Sequence, residues 1–265
     1  MVDLNLVQEW FPIYLFLIGL LFGSFANVVI FRLPQGRSVV TPRSACGSCG
    51  TPVAWFDNIP VLSWLVLRGK CRKCSAKISF RYPLVEILMA VLFWAVGYKY
   101  GLSWTTLELL ILTFGLVTVS FIDIDHMILP DSFTLSGIVI GLVGATLSPE
   151  RDFLPSLYGV LVGGGFLWAV AYFYFALRNQ DGMGGGDIKL LGWLGAVLSW
   201  TSVPFIILTS SVIGSIAGVS MALFRRSDMK SSIPFGPYLA LGAFLYIFAG
   251  EEITNWYIDL FIPNR

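Results

Sequence analysis

Residues 104–131 read WTTLELLILTFGLVTVSFIDIDHMILPD. The apolar run over 104–122 is close to the roughly 20 residues that a helix needs to cross hydrocarbon, and it ends on a carboxylate, Asp123. A second segment, GMGGGDIK at 182–189, sets another carboxylate, Asp187, at the head of an apolar run. Burying an ionisable carboxyl near hydrocarbon is costly, so such a residue is a functional candidate by default. Two of them facing one another are the minimum apparatus for acid–base hydrolysis.

The whole chain has the same character. Of its 265 residues, 56% are hydrophobic and only 12% charged, and the mean hydropathy is +0.78. Soluble domains carry about 25% charged residues. Apolar runs fall near 10–31, 83–101, 104–122, 132–148, 155–177, 188–201, 203–224 and 235–250. The run 188–201 is short, and Pro204 discourages its continuation as one helix. It is counted because leaving it out would put the next basic loop on the wrong side. The fold class is therefore an all-α polytopic membrane protein with about eight transmembrane helices. The first run is read as a retained span, because its flank holds Asp3 and Glu9 and no basic residue, unlike a signal peptide. A net charge of +1 gives no bulk field for nucleic acid.

Lysine and arginine set the orientation. The stretch 32–82 holds Arg32, Arg37, Arg43, Arg68, Lys70, Arg72, Lys73, Lys77 and Arg81, nine of the seventeen basic residues. With eight spans, Arg178, Lys189, Arg225, Arg226 and Lys230 share its side, and only Lys99, Arg151 and Arg265 fall opposite. By the positive-inside rule the 32–82 loop is cytoplasmic and both termini lie outside. Asp123 then closes the third span and Asp187 opens the sixth, both at the cytoplasmic face.

The large loop contains all four cysteines, as Cys46-Gly-Ser-Cys49 and Cys71-Arg-Lys-Cys74. Paired C-x2-C knuckles at this separation describe a tetrahedral structural zinc site, one ion per chain. Disulfides are disfavoured in a reducing cytoplasm, and no thioredoxin-like setting surrounds the cysteines. A domain this small and poor in aliphatic residues needs such a staple. Trp55, Phe56, Ile59, Val61, Leu62 and Trp64 are expected to pack around the knuckles or onto headgroups. The organisation expected is a first transmembrane helix over 1–32, a cytoplasmic tetracysteine zinc domain over 33–82, and a seven-helix membrane domain over 83–265.

Around the carboxylates, Gly184, Gly185 and Gly186 allow backbone conformations closed to other residues and let an extended peptide approach Asp187. An unwound 182–186 would set Asp187 slightly below the headgroups. Asp123 competes with Asp125 and Asp131. Asp125 points about 200° away from Asp123 on a helix, and Asp131 suits a cap of the following helix; contiguity with the span favours Asp123 without excluding Asp125. His126 is the one histidine and reads as an interfacial side chain. Ser-His and Cys-His mechanisms are therefore nearly excluded, leaving Asp–Asp chemistry. Pro234 and Pro237, around Gly236, break the chain at the same depth and either line the cleft or simply start the last helix.

These residues together resemble the type IV prepilin peptidases, part of the GxGD group of intramembrane aspartyl proteases. The resemblance runs through Gly23-Ser-Phe-Ala-Asn-Val-Val-Ile-Phe-Arg-Leu-Pro34, both knuckles, Phe80-Arg-Tyr-Pro-Leu-Val-Glu86, the Asp123 segment, Gly184-Gly-Gly-Asp187 and Ile233-Pro-Phe-Gly-Pro-Tyr-Leu-Ala240. It implies an enzyme of the bacterial inner membrane that removes the basic leader of prepilins and pseudopilins, after a glycine, at the cytoplasmic face. It implies Asp123 and Asp187 as the catalytic pair, in preference to Asp125, and the four cysteines as zinc ligands. It further implies methylation of the new N terminus with S-adenosylmethionine, and links Gly69 to that step, although Arg68 stands where relatives often have a second glycine. A proton-coupled transporter, with the acids as a relay, and a zinc-module scaffold are the rival classes. No internal repeat favours the first, and the second leaves Asp187 unexplained.

Overall fold

The computed structural model describes residues 4–180, 183–225 and 234–261. Among the residues named above, Asp3, Gly182, Arg226, Lys230, Ile233 and Arg265 lie outside the described residues. The regular structure of the described residues is helical, with two isolated β-bridges in the large loop. It divides into two compact units, Met1–Ile122 and Asp123–Arg265.

The first unit contains α1 (Leu4–Arg32), the short α2 (Leu62–Val66), α3 (Arg81–Tyr100) and most of α4 (Trp104–His126). Antiparallel α1 and α3 meet along a seam of small residues. A Cβ on Gly19 would lie 2.6 Å from Ala90 Cα, and one on Gly23 would lie 2.6 Å from Glu86 Cα. Such seams are how helices gain contact in lipid, where hydrophobic burial between helices contributes little. Phe114 of α4 packs edge-on to Phe22 at 5.6 Å and stacks on Phe25 at 6.0 Å. The loop between α1 and α3 is tied to this hairpin by buried Glu86, whose Oε2 accepts the Val61 N–H at 2.7 Å. Val61 has φ +62°, a costly backbone for a β-branched residue, and this bond helps hold it there.

The second unit adds α5 (Asp131–Leu147), α6 (Phe153–Arg178), α7 (Gly185–Leu198), α8 (Ser202–Arg225) and α9 (Gly236–Phe261). Its hub is the shortest of these, α7, in which every residue from Leu190 to Val197 is buried. The reason is close approach on two sides. A Cβ on Gly159 of α6 would lie 2.0 Å from Gly195 O, and one on Gly163 would lie 2.6 Å from Leu191 O. On the α5 side, a Cβ on Gly137 would lie 2.3 Å from the Trp193 ring. The last carbonyls of a helix lack intrahelical donors, and here Arg151 supplies them. Its Nη1 donates to Ala196 O at 3.1 Å and also to Val197 O, and its Nη2 donates to Gly141 O at 3.4 Å.

The eight apolar runs correspond to α1 and α3–α9. Among the described residues, five helices are long and apolar enough to cross a membrane, namely α1, α3, α4, α6 and α8 over its Ser202–Met221 part. Outward faces carry large apolar side chains such as Leu21 (62% exposed), Phe173 (64%) and Leu208 (65%). A surface this apolar requires lipid, so the chain is a multi-pass all-α membrane protein. The third span runs to His126, so Asp123 lies in the last turn of a helix. Likewise α7 starts at Gly185, so Gly185 and Gly186 are helical and the bend is confined to its N-terminal side.

The seam predicts a matched pair of outcomes. Gly159→Ala should cost roughly 1–3 kcal/mol by overpacking, read as a lower unfolding midpoint in detergent. Gly165→Ala on the same helix, where a Cβ meets nothing within 4 Å, should leave the midpoint unchanged or raise it.

Candidate functional site

The two aspartates lie at the ends of different helices and are brought together. Asp123 is 5% exposed. Its Oδ2 accepts the N–H of Gly236, the first residue of α9, at 3.0 Å. Glycine is what allows this contact, since a Cβ on residue 236 would lie 2.8 Å from that oxygen. Asp187 occupies the first turn of α7, half-buried, and its carboxyl is near enough to Asp123 for the two charges to interact. Asp125, two residues beyond Asp123, is exposed.

Leu129, in the link between α4 and α5, packs against two glycines of the site. A Cβ on Gly186 would lie 2.8 Å from Leu129 Cβ, and one on Gly236 would lie 3.0 Å from Leu129 Cδ2. The side chain is therefore in contact with the residue before Asp187 and with the residue bonded to Asp123. The other two glycines are more open: a Cβ on Gly185 would meet nothing within 4 Å, and one on Gly184 only Asp187 Oδ2 at 3.7 Å. Bare backbone is thus exposed beside one carboxylate. Pro237 falls in the first turn of α9 and Pro234 just before it, positions where proline's missing N–H is not needed.

Asp131 does not cap α5 with its side chain, as Pro130 is the capping residue. It pairs instead with Lys189 Nζ at 2.6 Å. Two residues apart on a helix, Lys189 and Asp187 point about 200° from each other, so the ion pair ties the first turn of α7 to α5 without entering the site. Neither Leu129 nor this pair was picked out from sequence. The Ile-Lys that follows Asp187 was the available signal for the second.

In the first unit the four cysteine sulfurs all lie within 4.8 Å of one another. Each knuckle is the same turn. Cys46 N–H donates to Thr51 O at 2.9 Å and Gly50 N–H to Cys46 O at 2.9 Å; Cys71 N–H donates to Ala76 O at 2.8 Å and Ser75 N–H to Cys71 O at 2.9 Å. The residue after each knuckle is left-handed, Gly50 at φ +68° and Ser75 at φ +58°, a conformation that glycine adopts without a Cβ penalty. Thiolates 2.3 Å from a tetrahedral ion are about 3.8 Å apart, and Cys46 Sγ and Cys74 Sγ are separated by 3.8 Å. The donor set fits zinc. Hydrogen bonding with the side chain and backbone of Thr51 holds the Cys49 thiol down at about 6. Against an amide bond from Ala76, burial and the neighbouring sulfurs push Cys74 up to about 11. Four converging sulfurs thus favour a cation among them.

Arg72 of the second knuckle donates from Nε and Nη2 to Asp57 at 2.8 and 2.6 Å, and this bond holds the Asp57 carboxyl below its usual range. Trp64 packs beside the second knuckle, its Nε1 donating to Ile78 O at 3.1 Å. Gly69, at φ +67°, lies against that indole, and a Cβ there would be 2.9 Å from the ring. Trp55, Phe56, Ile59 and Leu62 are exposed, and of these Phe56 meets the second knuckle, its ring 5.5 Å from the Arg72 guanidinium.

A multi-pass membrane protein with paired carboxylates at helix ends and a tetracysteine insert is a narrow class. Residues 17–100 match the bacterial peptidase A24 N-terminal domain, and residues 110–219 match the type IV leader peptidase family. The chain is 40% identical to a prepilin leader peptidase/N-methyltransferase of Aeromonas hydrophila over 93% of each chain. It is 38% identical to one of Pseudomonas aeruginosa over 92% of each. Against one of Neisseria gonorrhoeae it is 36% identical over 97% of this chain and 98% of the other. No solved structure gives a significant match. The chain belongs to the type IV leader peptidase family, and it is an enzyme.

Gly236→Ala would push the α9 amide away from Asp123. Peptidase turnover should fall by roughly tenfold or more through loss of a buried charged hydrogen bond, with the unfolding midpoint little changed; full turnover would show that this contact does not hold the site.

Proposed function

We propose that the chain is the inner-membrane endopeptidase that cuts the leader from type IV prepilins and pseudopilins after a glycine, and then N-methylates the new terminus with S-adenosylmethionine. Asp123 and Asp187 carry the cleavage. The observation that carries this reading is that Asp123, held by the Gly236 amide, lies near enough to Asp187 in the first turn of α7 for the two carboxylates to interact.

Two carboxyls at this range cannot both ionise cheaply, so the pair retains one proton. A main-chain donor on Asp123 Oδ2 suits the ionised member. Asp123 then takes a proton from water as the water attacks the scissile carbonyl carbon, while Asp187 donates its proton to the carbonyl oxygen. Collapse of the tetrahedral species breaks the C–N bond, and a proton passes to the departing amine. The open backbone at Gly184 and Gly185 is where an extended leader would lie beside Asp187. Gly184, Gly185, Gly186, Pro234, Gly236 and Pro237 line this cleft.

Eight spans place these helix ends at the cytoplasmic face with both termini outside, the orientation favoured by the basic bias. Cys46, Cys49, Cys71 and Cys74 hold one structural zinc in the 33–82 domain, which folds around it, while 83–265 forms the peptidase domain behind the first helix. The peptidase family argues against a proton-coupled transporter.

Purified protein mixed with a prepilin should release the leader. Asp123→Asn and Asp187→Asn should each reduce the rate by roughly 10³-fold or more, as expected when one member of a catalytic unit is lost. Near-normal cleavage by either would remove that residue from the mechanism. Zinc should be present at one ion per chain by mass spectrometry and be lost in Cys46→Ser or Cys71→Ser; full zinc in those variants would refute the tetracysteine site. With methyl-labelled S-adenosylmethionine, label should appear on the cleaved pilin N terminus, and its absence would remove the second activity.

A further inference from the structure

A cleft of about 280 Å³ lies where the end of α1 meets the cysteine-bearing loop. One side of it is a face of α1. Phe25, Val28 and Arg32 all line the cleft, at the i, i+3 and i+7 spacing that stacks side chains along one helix face. That face changes character over about 10 Å of rise, from an exposed ring and a half-buried aliphatic side chain to a guanidinium. The loop supplies the other side, with Arg43, Trp55 and Asn58 among its lining residues.

Both arginines have unused donors. Arg32 Nη1 donates to Ser38 O at 3.1 Å, which leaves most of its five N–H groups unengaged. Arg43 makes no ion pair or hydrogen bond among the described residues. No acidic residue lines the cleft. Asp57, next to Asn58 in the chain, is already held by Arg72 at 2.8 and 2.6 Å. Two guanidinium groups on one cavity without a carboxylate call for an anion, and the planar fork of arginine suits the paired oxygens of a phosphate.

Depth in the bilayer selects among phosphates. Helix α1 has 29 residues, about 43 Å of length, whereas hydrocarbon is about 30 Å thick. Its terminal turns therefore stand at headgroup level, and Arg32 is in the last of them. Exposed Trp55 is of the residue type that favours the same zone. A free phosphate would use the arginines and leave the Phe25–Val28 face idle. A phospholipid uses both.

We propose that this cleft binds an anionic phospholipid from the leaflet on the insert's side: Arg32 and Arg43 take its phosphodiester, Asn58 meets the polar headgroup, and an acyl chain descends along Val28 and Phe25. Clusters of basic side chains at the end of a span are where anionic headgroups bind. The bound lipid joins the end of α1 to the cysteine-bearing loop, so the insert is tied to the bilayer as well as to α3 through Glu86. This binding does not depend on the peptidase or methyl-transfer chemistry above.

The test uses full-length, zinc-loaded protein in nanodiscs of phosphatidylcholine and phosphatidylglycerol in equal parts. Native mass spectrometry after detergent extraction counts the lipids that stay bound. Wild type should keep one phosphatidylglycerol per chain in preference to phosphatidylcholine, and Arg32→Gln and Arg43→Gln should each cut that retention by about tenfold or more. Arg37→Gln removes the same charge from the same loop but outside the cleft, and should change nothing. Should Arg32→Gln lose its zinc, Arg43→Gln decides the matter, since Arg43 bonds to nothing that holds the fold. Phosphatidylglycerol with a photoactivatable group high on its acyl chain should label the peptide that contains Phe25 and Val28; label found only elsewhere overturns the site. Equal losses in all three arginine variants would mean diffuse charge attraction and also overturn it. Inorganic phosphate that binds in pure phosphatidylcholine nanodiscs with the same arginine dependence, while no phosphatidylglycerol is retained, overturns the lipid as occupant. Loss of prepilin binding without loss of lipid in Arg32→Gln and Arg43→Gln would make the cleft a substrate surface and overturn the proposal.

Discussion

How closely α6 can approach α7 governs the second unit. Gly159 and Gly195 bring the two backbones into contact, so that even a methyl group on Gly159 would lie 2.0 Å from a carbonyl oxygen. With α5 pressed on the opposite side through Gly137, α7 is enclosed in protein and can be short. Its far end is closed by Arg151 and its near end is held to α5 by Lys189 and Asp131. A carboxylate in the first turn of a helix fixed at both ends has little freedom to wander. Asp123 is fixed from a different direction, by the α9 amide, and Leu129 packs against Gly186 and Gly236. Positional accuracy of this kind is what acid–base chemistry needs, because small misplacements of reacting groups cost large factors in rate.

The tetracysteine insert follows another logic. It has few buried residues of its own, and it is organised by two matching turns, the bidentate Asp57–Arg72 pair and the Glu86 contact that ties it to α3. Small domains without a core depend on such cross-links and on metal. Exposed Trp55 and Val40 remain on its outer surface.

Much of this was legible in the chain because hydrocarbon imposes a simple rule: long apolar runs become helices, and charges inside them stand out. All eight runs became helices, and the C-x2-C spacing led directly to four clustered sulfurs. What the sequence hid was tertiary. Nothing in the run 188–201 says that it is short because it is encased. Leu129 looks like any interfacial leucine until Gly186 and Gly236 are seen on either side of it. Arg151 reads as a loop charge, and only the fold shows it collecting carbonyls from α7. Asp131 looked like a cap because the local pattern fits one, but a lysine 58 positions away competes for it.

The central claim is that Asp123 and Asp187 of a single chain share one site. The most direct measurement replaces both with cysteine in the full-length protein, treats it with a short bis-thiosulfonate reagent, and maps cross-linked peptides by mass spectrometry. The account predicts an intramolecular link between residues 123 and 187. Modification of each position without any link between them would contradict it.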